Sequence, residues 1–284
     1  MKTALITGST GALASAVIAR LRQTQAFRVV ETSRQADAHR LDIRDDKRVE
    51  AMLAEIRPDI VFHLAATFSG NYDEAYAVNV DATRRLLDLV EHSHPQTRVL
   101  LVGSAAEYGA VEPGDNPIRE DHVLNPQSIY GLSKSWQTQL ASFYALRGVS
   151  VVVARLFNLE APGLSERLFI GRVQKQIEEV RKGQRSSFEF GPLNATRDYV
   201  DADEAARQML AIAIGGTSGQ IYNVGSGKPI VMRELLQRLL AAQSMSTIAV
   251  QEAPALTNRA GYDVPVIYAD MCKTLSLLGE SIQK

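Results

Sequence analysis

One cysteine, Cys272, stands in the whole chain. No internal disulfide can form, and such a composition suits a reducing compartment. Neither sign of charge is in excess. Lys and Arg number 31 against 32 Asp and Glu, for a net charge of -1, which leaves no electrostatic footprint for nucleic acid or an anionic membrane. No apolar run is long enough to span a bilayer. The opening MKTALITG meets glycine too soon for a secretory leader, so a cytoplasmic protein is expected. The five histidines (His39, His63, His92, His94 and His122) show no metal-ligand spacing with Cys, Asp or Glu, and no metal is expected. Internal repeats, low-complexity segments and Pro/Ser-rich linkers are missing too, so any lobes should share a continuous interface.

What is present is a chain of 284 residues, 45% hydrophobic, enough for one large or two small domains with a sizeable core. Short β-rich apolar runs recur at 3–7 (TALIT), 27–33 (FRVVETS), 59–65 (DIVFHLA), 98–104 (RVLLVGS) and 149–157 (VSVVVARLF). Their unbroken apolar character fits parallel strands covered on both faces. Amphipathic stretches lie between them. In 45–58 Val49, Met52, Leu53 and Ile56 follow helical spacing, Asp45 and Asp46 suit the N-terminus, and Pro58 follows the end. Alternation of this kind predicts a doubly wound α/β domain. After Leu156 the pattern loosens into helices near 165–182, 201–214 and 231–243, with short β runs between. A smaller mixed α/β C-terminal lobe is expected. The predicted division is 1–157 with 195–227 for one domain and 158–194 with 228–284 for the other.

The first strand runs into TGSTGALAS. Gly8 permits a tight turn there, and Gly11 lets a pyrophosphate approach the N-terminus of the following helix, where free N–H groups and the dipole attract anions. Ala14 is the third small position and allows close helix–strand packing. A glycine-rich turn between the first strand and a helix is the context that dinucleotide binding requires. An NAD-preferring site places an acid at the tip of the second strand. Here the tip reads Ser33-Arg34, a hydroxyl and a guanidinium that suit the 2′-phosphate of NADP(H). Glu31, two residues earlier, competes for that place, and with it NAD(H).

Tyr130 and Lys134, in SIYGLSK, share one face of a helix. The spacing alone also describes a half-buried Tyr beside a solvated Lys. Ser104 ends the fourth strand and could join them, or could merely cap a turn.

These motifs, in order, resemble the extended branch of the short-chain dehydrogenase/reductase superfamily, the NAD(P)-dependent epimerase/dehydratases. The resemblance spans nearly the whole chain. It runs through Gly8–Gly11–Ala14, LDI (41–43), HLAA (63–66), Asn79 in NV, GSAAEYG (103–109), YGLSK (130–134), RLFN (155–158), RDYVDADEAA (197–206) and YNVGSG (222–227). Within that branch it is most similar to reductases of GDP-linked 4-keto-6-deoxymannose, relatives of the sugar 4-epimerases and 4,6-dehydratases.

The resemblance implies a Rossmann sheet and a catalytic set of Ser104, Tyr130 and Lys134. Tyr130 would exchange a proton with a sugar oxygen. Lys134 would lower the phenol's pKa and hydrogen-bond the nicotinamide ribose, and Ser104 would bond the reacting oxygen. Cofactor contacts are implied for Gly8, Thr10, Gly11, Ala12, Ser33, Arg34, Asp42, Ile43, Leu64, Ala65, Ala66 and Asn79, besides Tyr130 and Lys134. Asp42 is expected near the adenine. Substrate contacts are implied for Ser104, Asn158, Arg197 and Arg259, the two arginines gripping a pyrophosphate. An Arg197–Asp198 surface pair and a solvated Arg259 are the competing readings. Dehydratases need an acid just after the Ser/Thr, and this chain has Ala105 and Ala106. Ala106 also departs from the reductases, which often carry Glu there, and Leu156 replaces the usual Pro of its motif. Helices near 73–92 and 128–147 resemble the pair that forms a homodimer bundle, although ASFYAL (141–146) could equally be monomer core.

Three functions follow. The first is NADPH-dependent reduction of a nucleotide-linked 4-keto-6-deoxyhexose, GDP-linked by resemblance. The second is an NAD-dependent nucleotide-sugar 4-epimerase. The third, a non-catalytic dinucleotide sensor, has no need of an intact Ser104, Tyr130 and Lys134.

Overall fold

Apolar strands without alternation can be stable only between two helical layers, and the chain supplies both. In the computed structural model, which describes residues 1–35, 39–253 and 264–282, the first half runs β1 (Lys2–Thr7), α1 (Ala12–Gln23), β2 (Phe27–Thr32), α2 (Asp46–Ile56), β3 (Ile60–His63), α3 (Tyr72–Ala75), α4 (Ala82–Ser93), β4 (Arg98–Ser104), α5 (Ile129–Leu146) and β5 (Val151–Leu156). It continues through β6 (Asn158–Glu160), α6 (Phe169–Arg181), β7 (Phe188–Phe190), β8 (Thr196–Asp201), α7 (Ala202–Gly215), β9 (Ile221–Val224), β10 (Pro229–Val231), α8 (Met232–Ala241), β11 (Val250–Glu252) and α9 (Cys272–Ile282).

Six strands form one parallel sheet in the order β2-β1-β3-β4-β5-β9. The chain steps one way from β1 to β2 and the other way to β3. The β1/β3 boundary is therefore the switch point, and a crevice opens beyond the C-terminal ends of those strands. On one face Val17, Ile18 and Leu21 of α1 pack with Met209 and Ile212 of α7. On the other Met52 and Leu53 of α2, Leu86 and Leu87 of α4 and Tyr144 of α5 cover the sheet. Asp45 caps α2 by accepting from the Arg48 N–H, a contact typically worth about 1 kcal/mol. Beyond this layer β6, β8 and β10 make a small mixed sheet, and β7 pairs with β11. The fold is the doubly wound α/β arrangement with a smaller mixed sheet that the sequence pattern predicts.

One local feature departs from the expected helix over 73–92. Residues Tyr76–Asp81 are π-helical between α3 and α4. The wider turn accommodates Asn79, which is fully buried. Its Oδ1 accepts from the Thr67 N–H at 2.9 Å, and its Nδ2 donates to Thr67 O and Ser133 Oγ at 3.0 and 2.9 Å. A tertiary clamp sets this conformation over a segment whose apolar spacing alone reads as one α-helix.

Candidate active site

Gly8 takes φ +73°, and a Cβ built there would lie 2.7 Å from Ala65 Cα. The first-strand turn thus rests directly on the backbone after β3, and only glycine fits. Gly11 caps α1 at φ -77°, and a Cβ on it would meet only Gly8 O at 3.7 Å. Its smallness therefore serves something other than the fold's own packing. No side chain caps α1 and no acid sits in its first turn, which leaves the N–H groups beside Ala12 facing the crevice mouth, next to exposed Thr10. Leu64 and Ala65 are held by Thr7: the Leu64 N–H donates to Thr7 O and the Ala65 N–H to Thr7 Oγ1. Exposed Ala66 follows. These residues suit the pyrophosphate and ribose of a dinucleotide.

At the tip of β2 Glu31 and Arg34 stand in different surroundings. Glu31 is ion-paired with Arg22 of α1, whereas Arg34 is exposed beyond the strand. Ser33 is buried, and its Oγ accepts from the Gln35 N–H at 3.1 Å. The Arg44 side chain chelates Asp42 and draws its carboxyl down to about 2, with Arg34 adding a smaller pull. Asp42 and half-buried Ile43 flank the same end of the crevice. Asn79 lies behind the Leu64–Thr67 loop with its amide committed to Thr67 and Ser133, so it positions that loop from inside.

Ser104 ends β4, Tyr130 lies in the first turn of α5 near it, and Lys134 follows one turn later on the same helix. Ser104 caps a short 3-10 turn by accepting from the Ala106 N–H, and its hydroxyl draws the pKa of the Tyr130 phenol down against the effect of burial. The cap reading of Ser104 is realised in its geometry. Ser128 caps α5 through the Gly131 N–H. A Cβ at Gly131 would fall 2.4 Å from Ala106 O, so main chain meets main chain between the tyrosine helix and the serine turn. Phe68 packs on Tyr130 with ring centroids 4.7 Å apart.

The expected influence of Lys134 on the phenol is not what the geometry shows. Burial pushes the Tyr130 pKa up, and only the Ser104 hydrogen bond offsets it. Lys134, 2% exposed, turns its ammonium to Gln137 Oε1 at 2.5 Å. Burial lowers its pKa to about 8, against a smaller upward pull from Glu107. One turn of helix brings Lys134 beside Tyr130, but a neutral acceptor, Gln137, draws its charge away.

Glu107 supplies no acid to the site. It is fully buried and bridges inward to Arg155 of β5 at 2.9 Å, while its Oε1 accepts from the Ser104 N–H and its Oε2 from the Thr138 hydroxyl. The Arg155 guanidinium also stacks 4.6 Å over the Tyr108 ring. The positions that follow Ser104 present only the methyl groups of Ala105 and Ala106.

On the substrate side, Asn158 opens β6, and its Nδ2 donates to Asp198 O at 2.9 Å. Arg197 is buried on β8 and donates to Thr196 O. The alternative of an Arg197–Asp198 surface pair is not realised. Asp198 is wholly buried and accepts from the N–H groups of Ser226, Gly227 and Ala269. Adjacent strand residues point to opposite faces, so the acid anchors the loop after β9 and Arg197 faces the other way. Arg259 lies outside the described residues. Sequence reasoning missed Phe68, which carries no motif, and Gln137, whose place three residues past Lys134 on the same helical face was a usable signal.

The model of the NAD dependent epimerase/dehydratase family matches residues 4–225. The chain belongs to that family and is an enzyme of the extended short-chain dehydrogenase/reductase type. Among known relatives, GDP-6-deoxy-D-mannose reductase of Pseudomonas aeruginosa is 29% identical over 231 residues, covering 78% of this chain and 75% of that protein. The dTDP-6-deoxy-L-talose 4-dehydrogenase (NAD(P)(+)) of Kitasatospora kifunensis is 28% identical over 262 residues, 88% of this chain and 81% of that one. The structure of RMD from Pseudomonas aeruginosa complexed with NADPH superposes with a TM-score of 0.86 over 98% of this chain and 93% of that one, at 23% identity, a likeness of fold. The UDP-glucose 4-epimerase of Thermus thermophilus, in complex with NAD, gives 0.82 over 98% and 93% of the two chains, at 25% identity.

Proposed function

We propose that the protein reduces the C4 keto group of a nucleotide-linked 4-keto-6-deoxyhexose with NADPH, a step of deoxysugar biosynthesis, and that GDP is the favoured nucleotide. The observation that carries this reading is the close approach of the Ser104 turn to the Tyr130 helix at Gly131, on a turn whose next residues are Ala105 and Ala106 and whose Glu107 faces Arg155. Such a site can donate a proton to a ketone oxygen, and the described residues after Ser104 on its turn offer no further acid to expel water. Bound NADPH would supply the hydride. Tyr130 gives its proton to the oxygen, Ser104 holds that oxygen, and Lys134 is left to bond the nicotinamide ribose. The cofactor rests on Gly8, Gly11 and Ala12, with Arg34 at its 2′-phosphate. Asn158 and Arg197, with Arg259, hold the nucleotide sugar. The assignment gives 1–157 and 195–227 to the cofactor and 158–194 and 228–284 to the substrate. The reductase and dehydrogenase relatives support a C4 redox reaction on a 6-deoxysugar.

The second reading, a 4-epimerase, draws on a relative named Putative UDP-glucose 4-epimerase, 26% identical over 96% of this chain. The deciding experiment offers GDP-, dTDP-, UDP- and CDP-linked 4-keto-6-deoxysugars with NADPH. Steady, stoichiometric NADPH consumption is the reductase result. Nicotinamide retained through purification, with no net consumption, is the epimerase result.

The assembly we propose is a homodimer in the cytoplasm. Tyr72, Tyr76, Val80, Trp136, Leu140 and Phe143 line one open groove on α3, the π-helical segment and α5, and Tyr72, Tyr76 and Phe143 are each at least 44% exposed. Two such faces make a four-helix contact. Among the described residues no helix is long and apolar enough to cross a membrane. Sedimentation of the wild type and of Trp136→Glu tests the dimer, and a wild type that sediments as a monomer refutes it.

A further inference from the structure

Lys134 heads a buried chain of polar side chains, and no part of the proposed reaction uses the members beyond it. Gln137 and Thr83, both at most 1% exposed, and His63, at 2%, continue it away from the site. The Gln137 Nε2 donates to Thr83 Oγ1 at 2.9 Å, and the Thr83 hydroxyl donates to Asn79 O at 2.9 Å. His63 Nε2 lies 3.3 Å from the same hydroxyl, and its Nδ1 lies 3.0 Å from Thr7 Oγ1. The Thr7 hydroxyl in turn accepts from the Ala65 N–H.

The polarity of every link is fixed from one end. An ammonium can only donate, so Gln137 must present its oxygen to Lys134 and its NH2 to Thr83. With the Thr83 proton committed to Asn79 O, His63 must donate from Nε2. Its Nδ1 is then bare and accepts from Thr7. Burial, with the Lys134 charge adding to it, holds the imidazole neutral by lowering its pKa to about 3, as this tautomer requires. The chain therefore ties the lysine to Thr7 and Ala65, the two backbone segments that meet at Gly8.

We propose that Gln137 is a positioning residue that holds the Lys134 ammonium protonated in a dry pocket and fixes it to the floor of the cofactor crevice. The charged and titratable groups around the ammonium are few. Tyr130 stands one turn earlier on α5, and neutral His63 comes from β3. Glu107 comes from the turn after β4, with Arg155 of β5 bound to it. The π-helical segment and α4 contribute Asn79 and Thr83, which do not titrate. Glu107 already favours the charged lysine, and the Gln137 oxygen is the direct hydrogen-bond acceptor. Its loss should bring deprotonation to lower pH, and a carboxylate in its place should do the reverse.

The kinetic meaning of this tether rests on the proposed reductase reading. The test therefore reads the apoprotein first. Lysine labelled at the terminal methylene is followed by nuclear magnetic resonance across pH, with the Lys134 signal assigned by its loss in Lys134→Met. In Gln137→Met the Lys134 midpoint should fall by about one pH unit, the size of one lost charge-assisted hydrogen bond, and in Gln137→Glu it should rise. Circular dichroism checks that each variant is folded. If Gln137→Met does not fold, Gln137→Glu decides alone. A Lys134 midpoint unchanged in the folded variants overturns the proposal whether or not a substrate is found. With a substrate in hand, the basic limb of kcat should move in the same direction as the midpoint, and a limb that stays put while the midpoint moves overturns the catalytic part.

Discussion

Phe68 lies over the Tyr130 ring with centroids 4.7 Å apart and planes inclined by 34°, although Phe68 itself is 48% exposed. A large apolar side chain held half in solvent against the ring of the proposed proton donor restrains that ring. Aromatic pairs of this kind contribute about 0.5–1.5 kcal/mol beyond burial. Phe68→Ala should therefore lower kcat/KM several-fold with little change in melting temperature. Tyr130→Phe, which removes the proton itself, should cost about 10²–10⁴-fold in turnover and leave NADPH binding intact. Steady-state kinetics and a cofactor titration on both variants check the pair. Equal losses, or a Tyr130→Phe protein with wild-type turnover, contradict these roles.

The two glycines of the first turn should respond differently to alanine. Gly8→Ala forces a left-handed residue and drives a Cβ against Ala65, so it should destabilise the fold by roughly 1–3 kcal/mol and also weaken cofactor binding. Gly11→Ala meets no such contact. Its melting temperature should stay near wild type while NADPH affinity falls, because the methyl group occupies the approach to the helix N-terminus. Thermal melts beside fluorescence titrations separate the two effects, and a Gly11→Ala protein that binds NADPH normally would remove the pyrophosphate from this seat.

Acid should destabilise the protein through His63. Its folded pKa is lowered from 6.5 to about 3, so between those values the unfolded chain binds the proton that the folded chain refuses. Stability then falls as pH drops through 6.5 and stops falling on this account near 3, a total on the order of 4 kcal/mol. Urea unfolding at stepped pH should show a shallower acid slope in His63→Gln than in the wild type, whatever the offset between them at neutral pH. Parallel slopes would assign the acid loss to other groups.

Cofactor choice should reside in Arg34, since Glu31 is engaged by Arg22. Arg34→Ala is expected to reduce the NADPH/NADH ratio of kcat/KM at least several-fold without disturbing the fold. A wild type that already prefers NADH would sink this reading and move weight to the epimerase.

The sheet was readable because its strands are continuous apolar runs of the right length, and β1 to β5 lie within a residue or two of those runs. The glycine turn was readable because backbone geometry demands particular residues at Gly8. Other parts were not legible. The π-helical turn at Tyr76–Asp81 depends on bonds from Asn79 to Thr67 and Ser133, which local periodicity does not encode. The direction of Glu107 is not encoded locally, because a 3-10 turn, not a strand, follows Ser104, and its partner Arg155 is 48 residues away. The lysine's tie to Gln137 was hidden for a different reason. The sequence pattern of the helix places Lys134 next to Tyr130, and only the desolvated pocket decides which neighbour takes its hydrogen bond.

The contact of Gly131 with the Ala106 carbonyl has a consequence for how such an enzyme can change. Main chain against main chain fixes the spacing of Ser104 and Tyr130, so that spacing does not depend on which side chains decorate the turn. Ala105 packs against the cluster of Tyr108, Ile118 and Phe157, whereas Ala106 enters the contact through its carbonyl, so its side chain is not what sets the spacing. Position 131 has no such freedom, because any Cβ there prises the tyrosine helix from the turn. On the proposed reading, the side chain of Ala106 can vary the cavity while the backbone contact at position 131 keeps the tyrosine helix in place.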